Sequence, residues 1–142
     1  MATRTYVLID DEGDPAEILG YYTLLPSTIV FPEGHALHNR FPYNPPVYRL
    51  ARLAVDNSVK GHGLGAYLLI ECLKRVVDAS ISVGGIGCAV DAKDEDARKF
   101  YEKYGFVAID DTHDSSLALW LPFNQCLEAM ELSEGGLYPE GD

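Results

Sequence analysis

Apolar and polar positions change period along this chain, and the changes mark its elements. Thr5 to Ile9 and Ile18 to Leu25 are short runs rich in β-branched and aromatic residues, which predicts two strands. D-D-E-G-D-P at 10–15 is a turn by composition, so the pair is expected as a hairpin. Residues 26–46 hold five prolines and two histidines and predict an ordered, exposed loop. Val47 to Val55 predicts a third strand. From Leu64 the apolar positions are Leu64, Leu68, Leu69, Cys72, Leu73, Val76 and Val77, a helical spacing with Glu71, Lys74, Arg75 and Asp78 on the wet side. Gly84-Gly85 ends that helix, and Ile86 to Val90 predicts a fourth strand. Glu95 to Tyr104 predicts a second helix stopped by Gly105. Phe106 to Ile109 and Leu117 to Leu121 predict two last strands, and Gln125 to Leu132 a helical stretch. Antiparallel strands followed by crossover units give an α/β fold with a mixed, mostly antiparallel sheet and helices on both faces.

At 142 residues the chain is long enough for one domain with a real core, expected over 1–123 with a partly helical or disordered tail over 124–142. No apolar run reaches the length of a membrane span and no charged-then-apolar leader opens the sequence, so a cytoplasmic protein with no membrane partner is expected. Cys72, Cys88 and Cys126 are scattered and fit reduced, mostly buried thiols better than disulfides or a zinc site. His35 and His38 have no third ligand in view, so no metal is expected. With 22 acidic against 11 basic residues the net charge is −11. Such a surface repels nucleic acid unless positive charge is gathered in one place, and otherwise serves solubility.

The chemistry concentrates at Lys60 to Leu69, K-G-H-G-L-G-A-Y-L-L, directly after the third strand. Glycine lets backbone approach a ligand closely, and a helix N-terminus aims unpaired N–H groups and a positive dipole at the same place. The pattern predicts a phosphate-bearing cofactor on the amides from His62 to Ala66, with Lys60 as a point charge near it. The plain alternative is a tight turn with glycines for geometry only. The spacing fits neither a Walker loop nor the dinucleotide fingerprint.

Lys60-Gly61-His62-Gly63-Leu64-Gly65 resembles the cofactor loop of the GCN5-related N-acetyltransferases (GNAT), Gln/Arg-x-x-Gly-x-Gly/Ala, with Lys60 at the Gln/Arg position. D-E-D-A-R-K-F-Y-E-K-Y-G-F at 94–106 is similar to the family's later motif, A-x-x-x-Y-E-K-x-G-F, about thirty residues on. The stretch from Leu37 to Leu69 is further similar to the acetyltransferase toxins of bacterial toxin–antitoxin pairs. The resemblance implies a GNAT-like sheet lacking the usual N-terminal strand and helices, acetyl-CoA as cofactor, and direct acetyl transfer to a primary amine. It also implies aminoacyl-tRNA as acceptor, which the acidity opposes, and a ribbon-helix-helix antitoxin as partner.

It further implies that Leu53, Ala54 and Val55 lie where the strand bulges and splays, with the Val55 N–H facing the thioester oxygen. A regular buried strand would read the same way. Tyr101 is the implied general acid for the departing thiolate. Its rival role is core packing, since Ala97, Phe100, Tyr101 and Tyr104 share one helical stripe. Asp94 stands where many members carry asparagine. Glu17, His35, His38 and Asp56 are the available bases, and His113 has no argued role. A non-catalytic coenzyme A-binding interaction protein is the alternative function. A homodimer would cover a free sheet edge.

Overall fold

A computed structural model describes residues 3–13, 16–110 and 116–134. Its strands are β1 (Arg4–Asp10), β2 (Glu17–Thr28), β3 (Pro46–Val55), β4 (Gly87–Asp91), β5 (Val107–Ala108) and β6 (Ala118–Pro122). Its helices are α1 (Leu64–Ser82), α2 (Glu95–Glu102) and α3 (Phe123–Glu134). The strands form one sheet in the order β1-β2-β3-β4-β6-β5, antiparallel except between β3 and β4. The expected hairpin is β1–β2. Residue 123 opens α3, whose buried Cys126 and Ala129 join the main core beside α1. His113 lies outside the described residues.

Expected helices on both faces become, among the described residues, helices on one. α1, α2 and α3 all feed a single core cluster with Leu24, Leu50, Cys88 and Leu119 of the sheet. The cluster on the opposite face (Ile29, Phe31, Val47, Ala89, Ile109 and Trp120) contains no helical residue. It is closed by the proline-rich loop over 29–45. Phe31 packs edge-on to Trp120 at 5.2 Å. His35 stacks on Phe31, and its Nδ1 accepts the Leu37 N–H at 3.0 Å. His38 Nδ1 is 2.9 Å from the Phe31 carbonyl. Both histidines therefore brace the loop and cannot also reach the site described below.

Leu50 and Leu53 are three apart, an impossible spacing for one face of a regular strand. The register explains it. Thr23 pairs with Arg52 and Leu24 with Leu50, so Ala51 is an extra, bulged residue. The bulge was expected at Leu53 to Val55; it falls earlier because the leucine spacing demands it there. It returns Leu53 and Val55 to the helix-bearing face that Leu50 occupies.

Arg75 is exposed as expected and also pins the hairpin to α1. Its Nε donates to the Tyr22 hydroxyl at 2.8 Å and its guanidinium lies 3.8 Å over the Tyr6 ring. Tyr6 and Tyr22 stack at 5.0 Å. Burial pushes the Tyr22 phenol up to about 12, with the Arg75 hydrogen bond opposing the rise. An unfolded tyrosine loses its proton near its ordinary value while the folded one keeps it, so stability falls as pH rises from that value through the folded one. The thermal midpoint should hold steady below pH 10 and fall between pH 10 and about 12. Calorimetric scans of the native chain and Tyr22→Phe check this; the variant should lose less across that interval.

Candidate functional site

Three elements converge at the end of β3. β3 stays paired with β2 up to Val55, whereas β4 stays paired with β6 up to Asp91. Between them only Tyr48–Leu50 and Cys88–Val90 are in register, and beyond that point the two strands part. The Asp56 N–H donates to the Leu19 carbonyl at 2.8 Å, so Gly20 and Val55 are a non-hydrogen-bonded pair. By the alternation of antiparallel ladders, the N–H and C=O groups of Val55 and of Leu53 turn away from β2. They face the gap that β4 has vacated, as free as those of an edge strand.

The glycine turn opens on the same gap. Gly61 and Gly63 have φ of 86° and 75°, the left-handed region that other residues enter at a cost. A Cβ at either would meet nothing within 4 Å, so neither glycine is there for packing. Gly63 is the N-cap of α1 and offers no side-chain cap, and the first turn carries no acidic residue. The first amides of α1 are thus left for an outside acceptor, at the positive end of a 19-residue helix. Lys60 and Gly65 line the cleft beside them.

That cleft encloses about 520 Å³ between Leu53, Ala54 and Val55 on one side and Asp94, Ala97, Phe100 and Tyr101 on the other. A second cleft of about 300 Å³ is lined by Tyr21, Ala51 and Arg52 and by Asp91 and Lys93. Leu53, Ala54, Lys93, Ala97 and Tyr101 line both. The register puts Tyr21 and Arg52 on the helix-free face. The two clefts are therefore openings on opposite faces of the sheet that meet where β3 and β4 part. Arg52 and Lys93 bring positive charge to the second opening, and its acid, Asp91, is paired with Arg49 at 3.1 Å.

α2 delivers Tyr101 to the meeting point. The ring packs against Phe100 at 5.2 Å and Phe106 at 5.4 Å, and only 6% of the residue is exposed. Burial pushes its phenol well above the ordinary tyrosine value. Tyr101 is at once a core residue and a cleft wall. Held neutral, the phenol can donate a proton or hydrogen bond and cannot serve as a base.

Asp94 serves the fold directly. It is the N-cap of α2, and its Oδ1 accepts the Ala97 N–H at 2.8 Å. Glu17, His35, His38 and Asp56 line neither cleft. Asp56 instead caps the 3-10 turn at Asn57–Val59, and hydrogen bonds from Ser58 hold its carboxyl below the usual carboxylate range. Sequence reasoning missed the second opening, with Tyr21, Arg52 and Lys93. Their only sequence signal is basic residues next to the parting strands. No group of three or more His, Cys, Asp or Glu is placed to hold a metal among the described residues.

A parted sheet, a glycine-capped helix and a buried phenol thus meet at one fork. Residues 34–124 match the Acetyltransferase (GNAT) domain, and the chain belongs to that family. It is 33% identical over 90 residues to the tRNA-acetylating toxin of Mycobacterium tuberculosis, covering 63% of this chain and 54% of the relative. The chain thus spans about half the length of that curated relative. A mutant of KacT is 34% identical with a TM-score of 0.79, over 89% of this chain and 74% of that one. AtaT complexed with acetyl-methionyl-tRNAfMet is 31% identical with a TM-score of 0.75, over 93% and 75% of the two chains. AtaT has also been solved with acetyl-CoA and the C-terminus of its antitoxin AtaR.

The cap at Asp94 is open to direct measurement. Asp94→Ala should cost about 1 kcal/mol of stability by urea unfolding, whereas Asp94→Asn, which keeps an accepting oxygen, should cost a few tenths.

Proposed function

We propose that this chain is an acetyl-CoA-dependent N-acetyltransferase of the toxin type, working in the cytoplasm. It moves an acetyl group by direct transfer to the α-amine of an aminoacyl-tRNA and is restrained by a ribbon-helix-helix antitoxin. The carrying observation is the fork between β3 and β4, open on both faces, with main-chain donors on one arm and Tyr101 on the other.

The chemistry of these residues suits coenzyme A. The amides from His62 to Ala66, with Gly61, Gly63 and Gly65 keeping the approach clear, take the diphosphate, and Lys60 adds a point charge. The free edge of Leu53, Ala54 and Val55 takes the amide-bearing arm as an added strand. When bound, the cofactor supplies a thioester, an acyl group activated toward amines. The Val55 N–H is aimed at the carbonyl oxygen, where negative charge develops during transfer. Tyr101 supplies the proton for the leaving sulfur. All three cysteines are buried and line neither cleft, which leaves no cysteine nucleophile there and supports attack by the amine itself. An α-amine has a lower pKa than lysine, so it needs no dedicated base.

The acceptor enters from the helix-free face. Arg52 and Lys93 line that opening, and the Arg49–Asp91 pair removes the nearest negative charge. A chain of net charge −11 thus keeps one locally positive approach, which supports an anionic acceptor such as tRNA.

Two variants separate cofactor binding from chemistry. Gly63→Val forces a β-branched residue to positive φ in open space. It should fold, yet weaken coenzyme A binding by about tenfold or more in titration calorimetry. Unchanged affinity removes the phosphate loop from the account. Tyr101→Phe should keep coenzyme A affinity and lower kcat by roughly a hundredfold or more, with acetylated methionyl-tRNA read by mass spectrometry. Full turnover by Tyr101→Phe removes the phenol's role, and no product from any charged tRNA removes the acceptor.

A further inference from the structure

Leu53, Ala54, Lys93, Ala97 and Tyr101 line both openings of the fork and so border the point where the openings meet. Three of them are apolar, and burial keeps the Tyr101 phenol in its neutral form. Lys93 alone brings an amine there. Its backbone is fixed from both sides. The Ala92 N–H donates to the Leu117 carbonyl at 2.8 Å, and Asp94 caps α2 by accepting the Ala97 N–H at 2.8 Å. The side chain has no such tether. The nearest acids in sequence are engaged elsewhere, Asp91 with Arg49 at 3.1 Å and Asp94 with its cap. Among the described residues the Lys93 ammonium has no hydrogen-bond or ion-pair partner. The other lysines are placed differently. Lys60 lines only the cleft beside the glycine turn, Lys74 is paired with Glu71 at 3.9 Å, and Lys99 and Lys103 are exposed and line neither cleft.

We propose that Lys93 is a site of self-acetylation, marked by the chain's own transfer reaction when no outside amine fills the helix-free opening. This adds a second acceptor to the acetyltransferase proposed above and rests on that reading. Lys93 Nζ sheds one proton to water and attacks the acyl carbon of the thioester, so that a C–N bond forms as the C–S bond breaks. Tyr101 protonates the leaving sulfur and regains a proton from the new amide nitrogen. The balance is acetyl-lysine, coenzyme A thiol and one released proton. At neutral pH a lysine amine is free roughly a few hundredfold less often than an α-amine, so an aminoacyl acceptor wins while it is present. Tethering offsets part of that deficit once the opening is empty. Arg52 and Lys93 are the basic residues of the helix-free opening, and acetylation removes the charge of one of them. A chain idling in acetyl-CoA therefore lowers its own affinity for an anionic acceptor.

The native chain, incubated with acetyl-CoA and no acceptor, should gain one acetyl group by intact mass, mapped to Lys93 by peptide mass spectrometry. Lys93→Arg should stay unmarked, and Tyr101→Phe should be marked roughly a hundredfold more slowly. The marked fraction should grow at a rate independent of protein concentration, as transfer within one molecule requires. A brief pulse of acetic anhydride reads the same placement without turnover. Coenzyme A carrying no acetyl group should shield Lys93 several-fold from the anhydride and leave Lys99 unchanged. Lys93→Gln, which removes the same charge, should lower the slope of log affinity for unfractionated tRNA against log salt by about one. An unchanged slope removes the effect on the acceptor. Equal marking of Lys93, Lys99 and Lys103, or a mark formed at full rate by Tyr101→Phe, is unguided chemical acetylation and overturns the proposal. So does anhydride labelling of Lys93 that coenzyme A leaves unchanged while calorimetry shows it bound. Acetylated methionyl-tRNA with Lys93 unmarked overturns self-acetylation and spares the acetyltransferase reading, whereas the absence of both products overturns both.

Discussion

β3 cannot follow both of its neighbours, and the rest of the site depends on that. It is committed to β2 through nine paired positions ending at Val55, while β4 is committed to β6 through Asp91. The parallel contact between them survives for three residues only. Buried main-chain groups demand partners, so a parted sheet is stable only where water or a ligand can complete the ladder. The fork is therefore both a defect in the sheet and a free edge within it. The bulge at Ala51 makes the defect usable. It keeps Leu50, Leu53 and Val55 on the helix-bearing face while their amides past Leu50 look into the gap.

Charge at the fork is balanced where charge on the chain is not. A net −11 describes the whole surface. The fork instead sets the N-terminal amides of α1, Lys60, Lys93 and Arg52 against Asp91, Asp94 and Asp96, with Asp94 engaged in capping α2 and Asp91 paired with Arg49. Fields fall off within about a Debye length of 10 Å, so placement outweighs the sum. Tyr101 sits in the same region but is governed by burial, which keeps its phenol neutral against aromatic neighbours.

The two faces of the sheet are built by different means. One carries all three described helices and most of the core. The other is held by a loop whose two histidines are fastened to its own backbone and to Phe31. Among the described residues no helix lies over that face of β1, β2 and the end of β3, where one mouth of the fork is.

The sequence by itself determined the element order, because strand and helix periods are local and the glycine turns that separate them are local too. It also made the glycine turn legible, since glycine enters the positive φ seen at Gly61 and Gly63 without steric cost. The Tyr101 helix was legible from its spacing and motif. Tertiary structure decided what depends on partners distant in the chain. Strand pairing 20 to 40 residues apart set where β3 and β4 part, which placed the bulge at Ala51 and turned the Val55 amide outward. Packing between positions 53 apart set Arg75 against Tyr22, with Tyr6 beneath it, and the parting of β3 from β4 brought Arg52 and Lys93 to one opening. Local periodicity carries no information about such pairings, because each strand's pattern is compatible with several neighbours and only the assembled sheet selects one.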